Sequence, residues 1–184
     1  MAEIPLPLTA VILAGGQSRR LGTDKALLRF QGRTLLAASV ERLRPLCQEI
    51  IVVTNTPQAH AHPAARLVGD LFPGKGALGG VYSGLMAAHT SHSLVIACDM
   101  PFVDEALVRH IIAQTGFDIV VPQIDGAFHP LFGLYSRDCL AVIEETLKQI
   151  NNEFETMERN AYNYTLYLKE EAERQKQQTT ATAA

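Results

Sequence analysis

Residues 13–25, LAGGQSRRLGTDK, place glycines, two adjacent arginines and a lysine directly after an apolar run. Consecutive glycines let the backbone come close to a ligand and turn N–H groups toward it, because no Cβ stands between. Arg19, Arg20 and Lys25 are the cations that a nucleoside triphosphate would need to meet. The stretch therefore reads as a phosphate loop, with Gly15 and Gly16 as its backbone element; the competing reading is a flexible turn with solvated charges. It is not a Walker A sequence, since five residues separate Gly16 from Gly22 and Lys25 follows Thr23-Asp24 rather than a glycine.

Asp99, in CDMP, follows the apolar run 93–98 directly, and Pro101 stiffens the turn beyond it. A lone carboxylate at a strand end suits Mg2+, which takes one or two protein carboxylates and fills its other positions with water and phosphate oxygens. The competing role, capping the next helix, falls to Asp104, which stands where that helix is expected to begin. Asn55 and Asp70 follow two further apolar runs, and Asp70 also opens the segment 70–78. Gly74, Gly76 and Gly79 spell G-x-G-x-x-G with Asp99 twenty residues on, yet Asp70, Leu71, Phe72 and Pro73 intervene after the strand. A dinucleotide fingerprint would start directly off the first strand, so that reading is set aside. His60 and His62 form an H-x-H pair beside Pro57 and Pro63, in an expected surface loop; His129, beside Pro130, faces the expected crevice. No Ser/His/Asp or Cys/His nucleophilic arrangement is readable.

The elements that must position these residues follow from periodicity. Runs at 9–14, 49–54, 65–69, 93–98, 118–124 and 128–135 read as strands. The early ones are β-branched and apolar without alternation, as strands buried on both faces are. Helical spacing recurs at 33–46, 79–90, 104–115 and 137–150. Alternation of the two predicts a three-layer α/β/α sandwich with a mostly parallel, Rossmann-like sheet. Ligands bind beyond the carboxyl ends of such strands, and those ends carry Ala14-Gly15-Gly16, Thr54-Asn55, Gly69-Asp70 and Cys98-Asp99. Residues 1–150 are expected to form one domain. Leu147, Ile150, Phe154, Met157, Ala161, Tyr164 and Leu168 then make a heptad-like stripe. It predicts an amphipathic helix over 151–175, lying on its own domain or pairing with a second chain, ahead of a disordered tail at 176–184.

Composition narrows the function class. The 184 residues are 47% hydrophobic and 19% charged, near globular averages, and carry a net charge of −3. That balance supplies no general footprint for nucleic acid or an anionic membrane, so any polyanion must be met locally. Cys47, Cys98 and Cys139 form neither a disulfide framework nor a zinc spacing and read as buried apolar residues. The apolar start lacks a basic leader and is interrupted by Glu3 and two prolines, and no run reaches transmembrane length. The expected setting is the cytoplasm, as a monomer or weak homo-oligomer.

LAGGQSRRLGTDKALL followed by QGRTLL, a strand ending VVTN, VGD before a glycine-rich segment, CDMPF and HPLFGLY together resemble the molybdenum cofactor guanylyltransferases. These are nucleotidyltransferases of the nucleotide-diphospho-sugar transferase fold, and the likeness runs from about residue 9 to about 145. The resemblance implies transfer of GMP from GTP to the molybdopterin form of molybdenum cofactor, with release of pyrophosphate and with Mg2+ as cofactor. By matching position it implies that Leu13, Ala14 and Gly15 contact the guanine nucleotide, Lys25 the phosphates, Asn55 and Asp70 the nucleoside, and Asp99 the magnesium and the nucleotide. In this family an LAGG start accompanies guanine and LAAG cytosine. Catalysis then falls to Lys25, Arg19 and Asp99, by positioning and charge neutralisation during in-line attack of the acceptor phosphate on the α-phosphorus. The family's N-x-N-T-P segment has no counterpart after residue 150, since the only N-T-P is Asn55-Thr56-Pro57. Two alternatives keep the donor loop but change its use: a cytidylyl- or sugar-phosphate nucleotidyltransferase, and a non-catalytic GTP-binding module.

Overall fold

The computed structural model describes residues 6–14, 24–100, 102–114 and 116–150. In chain order it contains β1 (Leu6–Leu13), a 3-10 turn (Lys25–Leu27), β2 (Arg29–Phe30), β3 (Arg33–Thr34), α1 (Leu35–Leu43), β4 (Cys47–Val53) and β5 (Arg66–Val68). It continues with α2 (Gly76–Ala87), β6 (His92–Ala97), α3 (Glu105–Ile112), β7 (Ile119–Val120), β8 (Gln123–Ile124), β9 (Ala127–Phe128), β10 (Phe132–Ser136) and a 3-10 turn (Arg137–Cys139). Among the described residues a final helical stretch, α4, covers 140–150. Two compact units are distinguished, Met1–Glu144 and Glu145–Ala184; the expected helix over 151–175 and tail at 176–184 lie outside the described residues. Among the described residues no helix is long and apolar enough to cross a membrane.

A six-stranded sheet in the order β5-β4-β1-β6-β10-β7 forms the centre. β5, β4, β1 and β6 are mutually parallel, and β10 runs antiparallel to both β6 and β7. The expected mostly parallel α/β sandwich is therefore present. Alternation along β1 assigns its two faces. Ala10 and Ile12 join a buried cluster with Leu36, Val40 and Leu43 of α1 and with Val108, Ile111 and Ile112 of α3. Val11 and Leu13 turn the other way, toward α2. Helices thus cover both faces, as a central strand buried on each side requires.

Local signals explain the helix starts. Thr34 Oγ1 accepts the Ala37 N–H (3.1 Å) at the head of α1, and Asp104 Oδ1 accepts the Leu107 N–H (3.0 Å) at the head of α3. Asp104, not Asp99, is thus the cap. The strand runs expected at 118–124 and 128–135 are each divided. Pro122 and Pro130 interrupt them, and a two-residue turn at Asp125 (φ 49°) and Gly126 (φ 81°) folds β8 back on β9. A similar turn at Gln31 and Gly32 builds the β2–β3 hairpin ahead of α1, so that helix starts later than its periodicity suggested.

α2 lies unusually close to the sheet. A Cβ added at Gly84 would stand 2.2 Å from Val11 Cγ1, and one at Gly80 would stand 3.2 Å from Leu13 Cδ2. Gly84→Ala is therefore expected to lower stability by about 1–3 kcal/mol through overpacking. Combined with Val11→Ala, which removes the opposing methyl groups, the loss should fall short of the sum of the two single losses; chemical denaturation of the three variants measures this.

Candidate functional site

The register of the parallel strands decides what can meet. Leu13 is partnered by Val53 on one side and Ala97 on the other, and Val53 by Val68. The backbone bonds one step further on keep the same line: Ala14 N–H to Val53 carbonyl (2.9 Å), Thr54 N–H to Val68 carbonyl (2.9 Å), and Cys98 N–H to Leu13 carbonyl (3.2 Å). Ala14, Thr54-Asn55, Gly69-Asp70 and Cys98-Asp99 therefore leave the sheet along one edge. Between β1 and β6 the strand order reverses direction, since β4 and β5 were laid on one side of β1 and β6 on the other. That is the topological switch point at which such sheets bind ligands.

Lys25 reaches this point. Its Nζ lies 2.9 Å from Asp99 Oδ2, with the lysine side chain 43% and the aspartate 37% exposed. The hydrogen bond and the charge of Asp99 both raise the Lys25 pKa, so the ammonium stays charged across the physiological range. A lysine ammonium has three donors, and Asp99 uses one; Lys25 can therefore hold a phosphate oxygen without leaving Asp99. The 3-10 turn that carries Lys25 is capped by Asp24, whose Oδ1 accepts the Ala26 N–H at 3.0 Å. Cys98, the neighbour of Asp99, has its thiol pushed up to about 11, first by burial and then by the charges of Asp99 and Asp24. It is an inert wall residue rather than a nucleophile. An edge-to-face contact between Phe30 and Phe102, with centroids 5.0 Å apart, ties the β2–β3 hairpin to the segment after Asp99.

A second group forms across β4 and β5. Asn55 Oδ1 accepts the Asp70 N–H (3.0 Å), and Asp70 Oδ1 accepts the Phe72 N–H (2.9 Å). Ser83 of α2 joins it, its Oγ accepting the Leu71 N–H (2.8 Å) and standing 3.1 Å from Asp70 Oδ1. Here the G-x-G-x-x-G segment finds its use. Gly74 (φ 84°) and Gly76 (φ 66°) turn the chain into α2, and a Cβ on Gly79 would come within 2.8 Å of the Phe72 carbonyl. The glycines seat a helix against a loop, which agrees with setting the dinucleotide reading aside.

His60 differs from its expected surface setting. Its side chain is fully buried, with Nδ1 2.5 Å from Thr54 Oγ1 and Nε2 2.8 Å from Asp24 Oδ2. His62 instead accepts the Ala64 N–H at Nδ1 (3.2 Å), so the H-x-H pair does not converge on one ligand. His129 directly follows β9, ahead of β10, and its N–H donates to the Pro122 carbonyl (3.0 Å). Of the residues expected in the site, Leu13, Ala14, Lys25, Asn55, Asp70 and Asp99 are on the aligned edge, whereas Gly15, Gly16 and Arg19 lie outside the described residues. Asp24 and His60 adjoin this edge without a sequence signal that links them: Thr54 is legible as a strand-end residue and His60 as half of the H-x-H pair, but no spacing joins either to Asp24.

The site can be tested for a metal ion. Among the described residues no three His, Cys, Asp or Glu side chains converge as ligands. Of the carboxylates on the edge, Asp70 is engaged by the Phe72 N–H and Ser83, and Asp99, 37% exposed beside Lys25, is the one offered to a ligand. A hard divalent ion that keeps most of its water and takes its remaining oxygens from phosphate fits that donor; a structural zinc, which demands four protein ligands, does not.

Comparison with known proteins agrees with this geometry. The MobA-like NTP transferase domain matches residues 10–161. The molybdenum cofactor guanylyltransferase of Desulfosudis oleivorans is 39% identical over 145 residues, covering 77% of this chain and 72% of that one. The probable molybdenum cofactor guanylyltransferase of Chloroflexus aggregans is 46% identical over 148 residues, covering 75% and 70%. Among solved structures, the molybdopterin-guanine dinucleotide biosynthesis protein A of Archaeoglobus fulgidus superposes with a TM-score of 0.65 at 26% identity, over 77% of this chain and 74% of that one. The fold, the aligned strand ends and the extent of these matches lead to one conclusion: the chain belongs to the MobA-like NTP transferase family.

Proposed function

We propose that this chain transfers GMP from GTP to the terminal phosphate of molybdopterin-bound molybdenum cofactor and releases pyrophosphate. The observation that carries the proposal is the Lys25–Asp99 pair, 2.9 Å apart at the switch point of the sheet. It gives a nucleotide phosphate chain a fixed cation beside a carboxylate suited to a divalent ion. The names of the relatives supply the base and the acceptor. Both substrates are charged phosphate esters, which fits the cytoplasmic setting read from the sequence.

In this reaction an oxygen of the acceptor phosphate forms a bond to the α-phosphorus, and the bond from that phosphorus to the bridging oxygen breaks. The bonding electrons leave with pyrophosphate. The attacking oxygen is already ionised, so no general base is needed and the chain contributes position and charge. Lys25 holds phosphate oxygens and offsets charge that builds on the leaving group. Asp99 would hold Mg2+, which when bound neutralises the phosphate oxygens. Leu13, Ala14, Gly15 and Gly16 are assigned to the nucleotide through close backbone approach, and Arg19 to the phosphates. Asn55 and Asp70 are assigned to the nucleoside. The Asn55 side chain is already oriented by the Asp70 N–H at 3.0 Å, which leaves the two donors of its amide nitrogen for a base or ribose oxygen.

Three expectations follow from these roles. Asp99→Ala should abolish pyrophosphate release, and Lys25→Ala should lower kcat by roughly 10²–10³-fold, in line with loss of one preorganised charge contact. Both variants should keep the wild-type melting temperature to within a few degrees, because the pair is half exposed and such pairs contribute little stability. With Mg2+ present, pyrophosphate release should require molybdopterin and should be faster with GTP than with CTP or ATP. Preference for CTP would transfer the assignment to a cytidylyltransferase, and GTP binding with no release under any acceptor would leave only a binding module.

A further inference from the structure

The bonds around His60 form one continuous path. The Thr56 N–H donates to Thr54 Oγ1 (3.0 Å), which stands 2.5 Å from His60 Nδ1. On the other side of the ring, Nε2 meets Asp24 Oδ2 at 2.8 Å, and Asp24 Oδ1 accepts the Ala26 N–H at 3.0 Å. This pattern fits the tautomer with its proton on Nε2, which donates to the carboxylate while Nδ1 accepts the threonine hydroxyl. Thr54 follows β4, whose register against β1 and β5 is fixed, and it is itself buried. The ring is therefore anchored to the rigid sheet at one nitrogen and holds the lysine-bearing turn at the other.

We propose that His60 is a positioning residue for the transfer site: it clamps Asp24, and through it the turn that presents Lys25 to Asp99. The inference rests on Lys25 and Asp99 serving the reaction proposed above. Both carboxylate oxygens of Asp24 are committed, one to the imidazole and one to the turn, so the carboxylate has one orientation. Without the imidazole, Asp24 is free to rotate toward solvent, since its side chain is already 34% exposed. The turn then loses its cap, and Lys25 keeps only the exposed contact at its tip. A buried imidazole that bridges a strand end to a carboxylate has lost considerable side-chain freedom, which favours a retained positional role over incidental packing.

The test uses the full chain with His60→Ala, His60→Gln, Asp24→Ala and the His60→Ala/Asp24→Ala double variant. Amide hydrogen exchange is followed at residues 24–28, alongside pyrophosphate release from GTP with Mg2+ and molybdopterin. His60→Ala should speed exchange at the Ala26 amide by about tenfold, as loss of one hydrogen bond to a charged group implies, with β1 and β6 unchanged. It should also lower kcat by about tenfold with a smaller change in the KM for GTP. Glutamine, whose amide can donate to Asp24, should recover most of both losses. The double variant should be no slower than Asp24→Ala alone, because the two residues act in series.

An unchanged Ala26 exchange rate in a folded His60→Ala protein overturns the proposal. So do additive losses in the double variant, or a glutamine variant as impaired as alanine with exchange raised throughout β1 and β6. If His60→Ala does not fold, Thr54→Val removes only the hydroxyl and should shift exchange and kcat in the same direction by less. A wild-type chain that releases no pyrophosphate from GTP overturns the proposed function instead, and the exchange measurements still decide the role of His60.

Discussion

Parallel strands leave the sheet in one direction, and here four of them also stop at the same height. Val68, Val53, Leu13 and Ala97 are register partners in a row, so whatever follows each of them must emerge within a few ångströms of that row. Everything assigned to the site depends on this alignment. A one-residue slip of β6 against β1 would turn its side chains to the other face and shift Asp99 along the edge, away from Lys25. The aligned stop is held by bonds that overrun the strands, from the Ala14, Thr54 and Cys98 N–H groups to the carbonyls of their neighbours. The edge is thus held by backbone bonds, and the residues directly beyond it carry the polar groups.

The glycines of α2 serve the same edge from behind. Each glycine inside a helix costs about 1 kcal/mol relative to alanine, yet Gly79, Gly80 and Gly84 all lie in this one. Their common property is contact. Gly84 faces Val11, Gly80 faces Leu13, and Gly79 faces the backbone of Phe72 and the carboxylate of Asp70. Leu13 is the last residue of β1 and Asp70 belongs to the second group of the site, so the close approach of α2 sets the depth of the edge at two places. Ser83, on the same helix, completes the hold on the 70–72 segment.

The sheet core was legible because its strands are buried on both faces and therefore read as uninterrupted apolar runs. The edge strands and hairpins were less so. QG at 31–32 and DG at 125–126 are hairpin dipeptides that lay inside or beside longer apolar stretches, and periodicity alone assigned those stretches to a helix and to single strands. The placement of Asn55, Asp70 and Asp99 along one edge was legible from type and position, because each comes just after a strand. Their partners were not. Asp24 and His60 are 36 residues apart, and no spacing rule links the turn that carries Lys25 to the segment after β4. The H-x-H pattern actively misled, since proline neighbours suggest a surface loop while the fold buries one of its two histidines.

Charge at the edge follows from which groups stand beside Asp99. The thiol nearest Asp99 is held protonated by burial and by two neighbouring carboxylates. The lysine is held charged by Asp99. Lys25 and Asp99 together are close to neutral, and a neutral pair draws a triphosphate in only weakly through the surrounding water. In the proposed reaction the net positive charge would come from elsewhere: from the divalent ion that Asp99 suits, and from Arg19 and Arg20, which follow Leu13 in the sequence. That division separates two tasks. In that reading the arginines and the ion would supply attraction, which governs how well the donor is held. The Lys25–Asp99 pair, held beside the sheet edge at 2.9 Å, would supply direction, which governs how well the α-phosphorus is presented to the acceptor.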